Sequence, residues 1–290
     1  MSKTFTRRTT VSLLGAGLAS TAFGANALAS SVAAIRKRGF IRVATANEIP
    51  YGYMDANGHA KGIGPEVAEH VLKQIGIDKI QWVVVPFGSL IPGLAARRFD
   101  MVAAEQNILP ARCQVVAFSV PNSSYGEGLL VKAGNPDKIH SYEDIKRNPH
   151  LKMAVVSGAD ELSFAHGVGI PDRQIVQIQS NADALSAVET GRVAAYAATE
   201  LTVARLARHS KSVQPASPFK QPTVDGKSVR SYGAFSFRKD EKTLLTAFNK
   251  GLTQFKGTKA WADILLHAGL NERDIAAARH MTTAQRCASR

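Results

Sequence analysis

The residues most able to do chemistry sit where apolar runs give out. In "DMVAAEQNILPARCQVVAFS" (residues 100–119) a strand-like run ends in Glu105, Gln106 and Asn107, turns through Pro110 and offers Arg112 beside Cys113. One reading is a polar loop with a surface arginine. The other is a ligand clamp, because a guanidinium presents a planar fork of donors that matches a carboxylate. Glu48 and Tyr51 follow the apolar run "FIRVATA", Phe87 follows "IQWVVVPF", and Asp160 lies in the turn "VSGADE". Taken alone, an aromatic at a strand end is more often core packing, and an acid there more often an exposed loop acid. Catalytic patterns are missing: there is no Ser-His-Asp arrangement, metal-ligand spacing or cofactor loop, and the eight histidines lack partners at ligand spacing. No cofactor is expected.

The elements that must position these residues alternate. "FIRVATA", "IQWVVVPF" and "FDMVAAE" read as buried strands; "GPEVAEHVLKQIGI" reads as an amphipathic helix with Val67, Val71, Leu72 and Ile75 on one face. "SLIPGLAARR" reads as a short helix opened by Ser89. The order βαβαβ argues for a mostly parallel sheet flanked by helices, whose ligands sit beyond the carboxyl ends of the strands. The same grammar restarts after the "SYEDIKRNP" helix, capped by Ser141, and runs through "LKMAVVSGADELSFAHGVG" to "VAAYAATELTVARLARH". A last strand, "YGAFSFRK", and further helices close the chain. The expectation is an α/β protein of two lobes with a cleft between them.

The first residues have another purpose. Lys3, Arg7 and Arg8 precede the short apolar run "VSLLGAGLASTAFG", and Ala27-Leu28-Ala29 fits the small-x-small rule, so residues 1–29 read as a signal peptide cleaved after Ala29. "TRRTTV" carries the twin arginines of a Tat signal without the large apolar residue that usually follows, so Sec and Tat both stay open. Removing this segment lowers the net charge from +13 to +10, still basic. The basic clusters "IRKRG" and "ARLARHSK" have no interleaved aromatics, which favours a solvated surface over a nucleic-acid or membrane partner. Cys113 and Cys287, the only cysteines, suggest one disulfide in an exported chain, with two free thiols as the alternative.

Four stretches carry a family resemblance. "ATANEIPYGYMDANGHAKGIGPEVAEHVLKQIG", "PFGSLIPGLAARRFDMV", "ILPARCQVVAFSVPNSSYGEGLLVKAGNP" and "SYGAFSFRKDEKTLLTAFNKGLTQFKG" resemble the extracellular solute-binding proteins, family 3, of polar amino-acid ABC importers. The cysteine after Arg112, the segment "GNPDKIHSYEDIKRNP" and the C-terminal "MTTAQRCA" are similar to the ectoine/hydroxyectoine-binding branch. The resemblance implies a type II two-lobed binding protein: lobe 1 from residues 30–124 and 230–290, lobe 2 from 125–229. Hinges are then expected near Ser123 to Glu127 and Arg230 to Gly233, with closure on a small ligand presented to inner-membrane permease subunits. A periplasmic location, a monomer and no nucleic-acid partner go with it.

By the same resemblance Arg112 is the carboxylate anchor, Tyr51 and Phe87 sandwich the ligand, and Glu48 holds the cationic nitrogens. Asn107 stands where the ectoine-binding branch has a third aromatic, and Leu109 where a small hydroxyl residue is usual. "VSGADE" replaces a Gly-Thr turn, so Asp160 would repel a carboxylate and accept from an amino or guanidino group. Thr199 stands where α-amino-acid binders carry an aspartate; Glu200 beside it is expected on the opposite strand face. The implied ligand is a zwitterion or cation-bearing carboxylate, ectoine or hydroxyectoine first, with polar amino acids or guanidino compounds as alternatives. A cyclohexadienyl dehydratase-like enzyme using Glu48, Glu105 or Asp160 as its acid is the alternative of another class, and a solute sensor is a further one.

Overall fold

The computed structural model describes residues 32–288; the expected signal peptide and its cleavage site lie outside them. Two sheets organise the chain. The first contains β1 (Ile41–Thr45), β2 (Ile80–Val84), β3 (Met101–Asn107), β4 (Ala117–Phe118) and β5 (Ser123–Tyr125). The second contains β6 (Glu127–Lys132), β7 (Met153–Val156), β8 (Ile175–Ile178), β9 (Ala195–Thr199) and β10 (Val213–Pro215). The chain then returns to the first sheet as β11 (Ser231–Phe237). The spatial orders are β2-β1-β3-β11-β4, with β5 also on β11, and β8-β7-β9-β6-β10.

In each sheet the three strands of the βαβαβ unit are parallel and the remaining strands are antiparallel. The sequence explains why. Alternate residues of each strand enter different cores: Val43, Met101, Ala103 and Phe235 face one side of the first sheet, Ala44, Val102, Ala104 and Ala234 the other. Leu129, Met153 and Ala195 against Leu130, Ala154 and Tyr196 repeat this in the second. Strands covered by helices on both faces must be apolar at nearly every position, which is how the runs read.

The helix Ile63–Gln74 buries Ile63, Val67, Ala68, Val71 and Leu72 against the first sheet. The returning helices Lys242–Lys256 and Lys259–Ala268 extend the same core with Leu244, Phe248, Leu252, Trp261 and Leu265. On the opposite face, Cys113 and Cys287 form a disulfide with Cα atoms 5.8 Å apart, tying the helix Thr283–Ala288 to Pro110–Cys113. Ser141 accepts a hydrogen bond from the Asp144 N–H, capping the helix Tyr142–Arg147. Glu200 does not extend β9 as the sequence suggests. Thr199 Oγ1 accepts from the Thr202 N–H and caps the helix Glu200–His209, so Glu200 opens that helix. Its carboxylate accepts from Gly126 N–H at 3.2 Å. No helix among the described residues is long and apolar enough to cross a membrane.

Candidate functional site

Residues at the carboxyl ends of parallel strands in both sheets line one space, where such sheets hold their ligands. Between them lies a cavity of about 30 Å³ lined by Glu48, Tyr51, Phe87, Glu105, Asp160, Glu161 and Thr199, with Tyr125 and Tyr196 completing its aromatic wall. That volume suits about one water molecule. The walls therefore stand close, and a solute of amino-acid size needs the sheets to part.

Five of the seven residues singled out from sequence line this cavity: Glu48, Tyr51, Phe87, Asp160 and Thr199. Asn107 and Arg112 do not. Arg112 donates to the backbone carbonyls of Asn107 (2.9 Å) and Gly158 (2.8 Å), and its guanidinium carbon lies 5.6 Å from the centre of the Phe87 ring. It thus ties the end of β3 to the turn after β7, across the cleft. Asn107 Nδ2 donates to Asp160 Oδ2 at 2.7 Å, and Tyr232 N–H donates to Asn107 Oδ1 at 2.8 Å. Asn107 is a polar strut between the end of β3, Asp160 and β11.

Glu48 reaches across as well. Thr202 Oγ1 donates to its carboxylate at 2.9 Å, and Thr199 Oγ1 donates to Thr202 Oγ1 at 3.1 Å. Desolvation pushes the Glu48 pKa up to about 6, against the bond from Thr202, with Asp160 adding repulsion. Tyr51 packs tilted on Tyr125 with ring centres 5.0 Å apart. Burial raises both phenols well above their ordinary value.

Backbone geometry places another acid, Glu105. Glu105 has a φ of 50°, in the left-handed region, where the β3–β11 register shifts between Ala234 and Ser236. Such a bulge re-aims a side chain. Its carboxylate accepts from Asn122 Nδ2 (2.8 Å) and Ser123 Oγ (2.5 Å), and burial raises its pKa to about 7. From the sequence, Glu105 ends an apolar run and offers itself only as a candidate acid of the enzyme alternative.

Glu161, Tyr125 and Tyr196 were missed. Asp160 and Glu161 open the helix Asp160–Val168, and both are buried. Adjacent helical residues ordinarily point apart, but this helix faces the cavity with its N-terminus, so both first-turn side chains reach it. The adjacency of two acids after "VSGA" was the available signal. Tyr196 sits three residues before the end of β9 and donates to Asn181 Oδ1 at 2.5 Å; nothing separated it from core tyrosines in the sequence. No group of three or more metal-ligating side chains is present among the described residues.

Comparison with known proteins agrees with this architecture. The family model of bacterial extracellular solute-binding proteins, family 3, matches residues 41–271. The Sinorhizobium fredii (strain NBRC 101917 / NGR234) protein named "Probable amino-acid ABC transporter periplasmic-binding protein y4tE" is 48% identical over 257 residues, covering 88% of this chain and 85% of the relative. The lysine/arginine/ornithine-binding periplasmic protein of Escherichia coli (strain K12) is 27% identical, covering 80% of this chain and 88% of its own. Among solved structures, EhuB in complex with hydroxyectoine superposes with a TM-score of 0.81 at 29% identity, covering 89% of this chain and 98% of that one. An ancestral amino-acid-binding protein described as a precursor of cyclohexadienyl dehydratase gives 0.69 at 28% identity, covering 81% and 98%. With a matching model over most of its length and two α/β lobes around an acid- and aromatic-lined cleft, the chain belongs to the bacterial extracellular solute-binding proteins, family 3.

Proposed function

We propose that this solute-binding protein captures a small cation-bearing carboxylate, ectoine or hydroxyectoine first among them, and delivers it to the permease of an ABC importer. The observation that carries the reading is the Glu48 carboxylate beside the Tyr51 and Phe87 rings in the interlobe cavity. A delocalised cation donates its N–H groups to Glu48 and lays its faces on the rings. Arg112 lies within stacking distance of Phe87, so its fork meets the ligand carboxylate when the cleft opens and Gly158 moves away. Thr199 adds a hydroxyl from the second lobe. Residues 30–124 with 230–290, and 125–229, act as the two rigid units, and the hinges are the crossings between β5 and β6 and before β11. Residues 1–29 are removed on export, and the mature chain works as a monomer in the periplasm.

A calorimetric and thermal-shift screen of the mature protein tests this against ectoine, hydroxyectoine, glycine betaine, arginine and glutamine. Ectoines are expected to raise the melting midpoint, because a ligand at a hundred times its Kd stabilises by about 2.7 kcal/mol. Arg112→Ala is expected to abolish the ectoine response with folding retained. No response to any of these solutes, or conversion of prephenate or arogenate to phenylpyruvate or phenylalanine, overturns the reading.

A further inference from the structure

The helices Glu272–His280 and Thr283–Ala288 lie beyond the span that the family model matches, which ends at residue 271. They nevertheless reach the cleft. Asp274 pairs with Arg230, whose Nε donates to Ser124 Oγ at 2.8 Å, so the first of these helices is fixed where the chain crosses between lobes. Thr283 Oγ1 donates to Ser119 O at 2.6 Å, and Cys287 closes the disulfide with Cys113.

That disulfide joins two segments that each carry an arginine. Arg112 precedes Cys113 on a helix of only four residues, too short to hold its shape alone. Arg286 precedes Cys287, and its guanidinium carbon lies 5.1 Å from the centre of the Tyr232 ring in β11. The same start of β11 supports Asp160. The Tyr232 N–H donates to Asn107 Oδ1 at 2.8 Å, Asn107 Nδ2 donates to Asp160 Oδ2 at 2.7 Å, and Ser231 Oγ lies 3.0 Å from that oxygen. Burial lowers the Arg286 pKa, while Tyr232 and Asp160 act against it by attracting the guanidinium, which stays charged. The tail therefore sets a half-buried positive charge behind Asp160.

The placement matters because Asp160 stands close to the carboxylate anchor. Arg112 donates to Gly158 O, two residues before Asp160, so a carboxylate drawn to Arg112 also meets the acid. We infer that Arg286, held over Tyr232 by the Cys113–Cys287 bond, is a specificity-determining residue of the cleft: it offsets Asp160 and so leaves Arg112 to a solute carboxylate. Arg286 acts through Asp160 and does not touch the solute. The inference rests on the proposed solute-capture role and adds what permits a carboxylate beside Asp160. Partly buried charges are screened much less than exposed ones, so an offset of this kind is felt at the anchor.

Titration calorimetry with ectoine, well below every variant's melting midpoint, tests this. Arg286→Gln is expected to weaken ectoine at least tenfold, and Arg286→Lys, which keeps the charge, to stay within about threefold of wild type. Adding Asp160→Asn to Arg286→Gln is expected to recover most of the loss, because no acid is left to offset; a purely structural role for Arg286 gives no such recovery. Cys287→Ser is expected to weaken ectoine as well, and to add little to Arg286→Gln, since residues acting through one contact are not additive. Unchanged affinity in Arg286→Gln overturns the inference and leaves solute capture standing. Equal losses with and without Asp160→Asn overturn it too. If melting curves show that the double variant has unfolded, Arg286→Lys decides, and a loss equal to that of Arg286→Gln overturns the inference. If wild type binds ectoine less tightly than another of the five screened solutes, all of which bear carboxylates, that solute replaces it in the series. Wild type that binds none of the five overturns the capture reading itself, and this inference with it.

Discussion

At the residue scale the cleft is a contest between hydration and pairing. Phe87 is only partly buried and packs at the edge of a core cluster, so its ring is available to a ligand. Phe87→Ala is expected to weaken cationic-solute binding at least tenfold with little change in melting midpoint; calorimetry giving unchanged affinity would assign the ring to packing alone. The acids set a pH dependence. Glu48 and Glu105 have folded-state pKa values of about 6 and about 7, raised from 4.5. Between pH 4.5 and 7 the folded chain holds protons that the unfolded chain has lost, so stability falls as pH rises through this window. The melting midpoint of the ligand-free protein is expected to drop from pH 5 to pH 8 through these two groups, and Glu105→Gln is expected to flatten the slope. An unchanged slope in that variant would remove Glu105 from the account. Binding of a cation needs the charged carboxylates, so affinity is expected to move the opposite way.

Elements decide how closely the lobes approach. The turn before the helix Leu90–Ala95 meets the turn after β7 at Gly88 and Gly158. A Cβ on Gly158 would lie 2.7 Å from Gly88 Cα, and one on Gly88 would lie 2.9 Å from Ser157 O. Gly158 also has a φ of +81°, which disfavours any side chain; Gly88 does not carry that complication. Gly88→Ala is therefore expected to prop the cleft and weaken solute binding at least tenfold, with a melting midpoint near wild type because the clash lies between lobes. Unaltered affinity would show that the contact yields without cost. The strands and helices that carry these turns were legible from apolar periodicity. The closeness of Gly88 to Gly158 was not, because 70 residues separate them and neither turn has a pattern naming its partner.

At the scale of the whole molecule, the chain leaves the first sheet after β5, builds the second, and returns at β11. Cys113 and Cys287 join points 174 residues apart in sequence. A loop of that length stabilises by up to about 5 kcal/mol in the chain-entropy model. The tail adds Thr283 Oγ1, which donates to Ser119 O at 2.6 Å, and Arg286, whose guanidinium carbon lies 5.1 Å from the Tyr232 ring centre. Cys287→Ser is expected to lower the melting midpoint by several degrees, and reductant to do the same to wild type and nothing further to the variant. Equal midpoints in oxidised and reduced wild type would show that packing of the tail suffices.

The two α/β units are legible in the sequence, because strands buried on both faces and helices buried on one leave different periodicities. So are the polar strand ends where a site belongs, and two cysteines with no others to pair with. Which of those polar residues share a cavity is set by contacts between distant parts of the chain. Arg112 and Asn107, singled out by pattern, turn to backbone and to Asp160, while a bulge brings in Glu105 and a helix end brings in Glu161. A side chain's direction depends on a local φ or on the tilt of a helix against another lobe, and neither is written in the residue types around it.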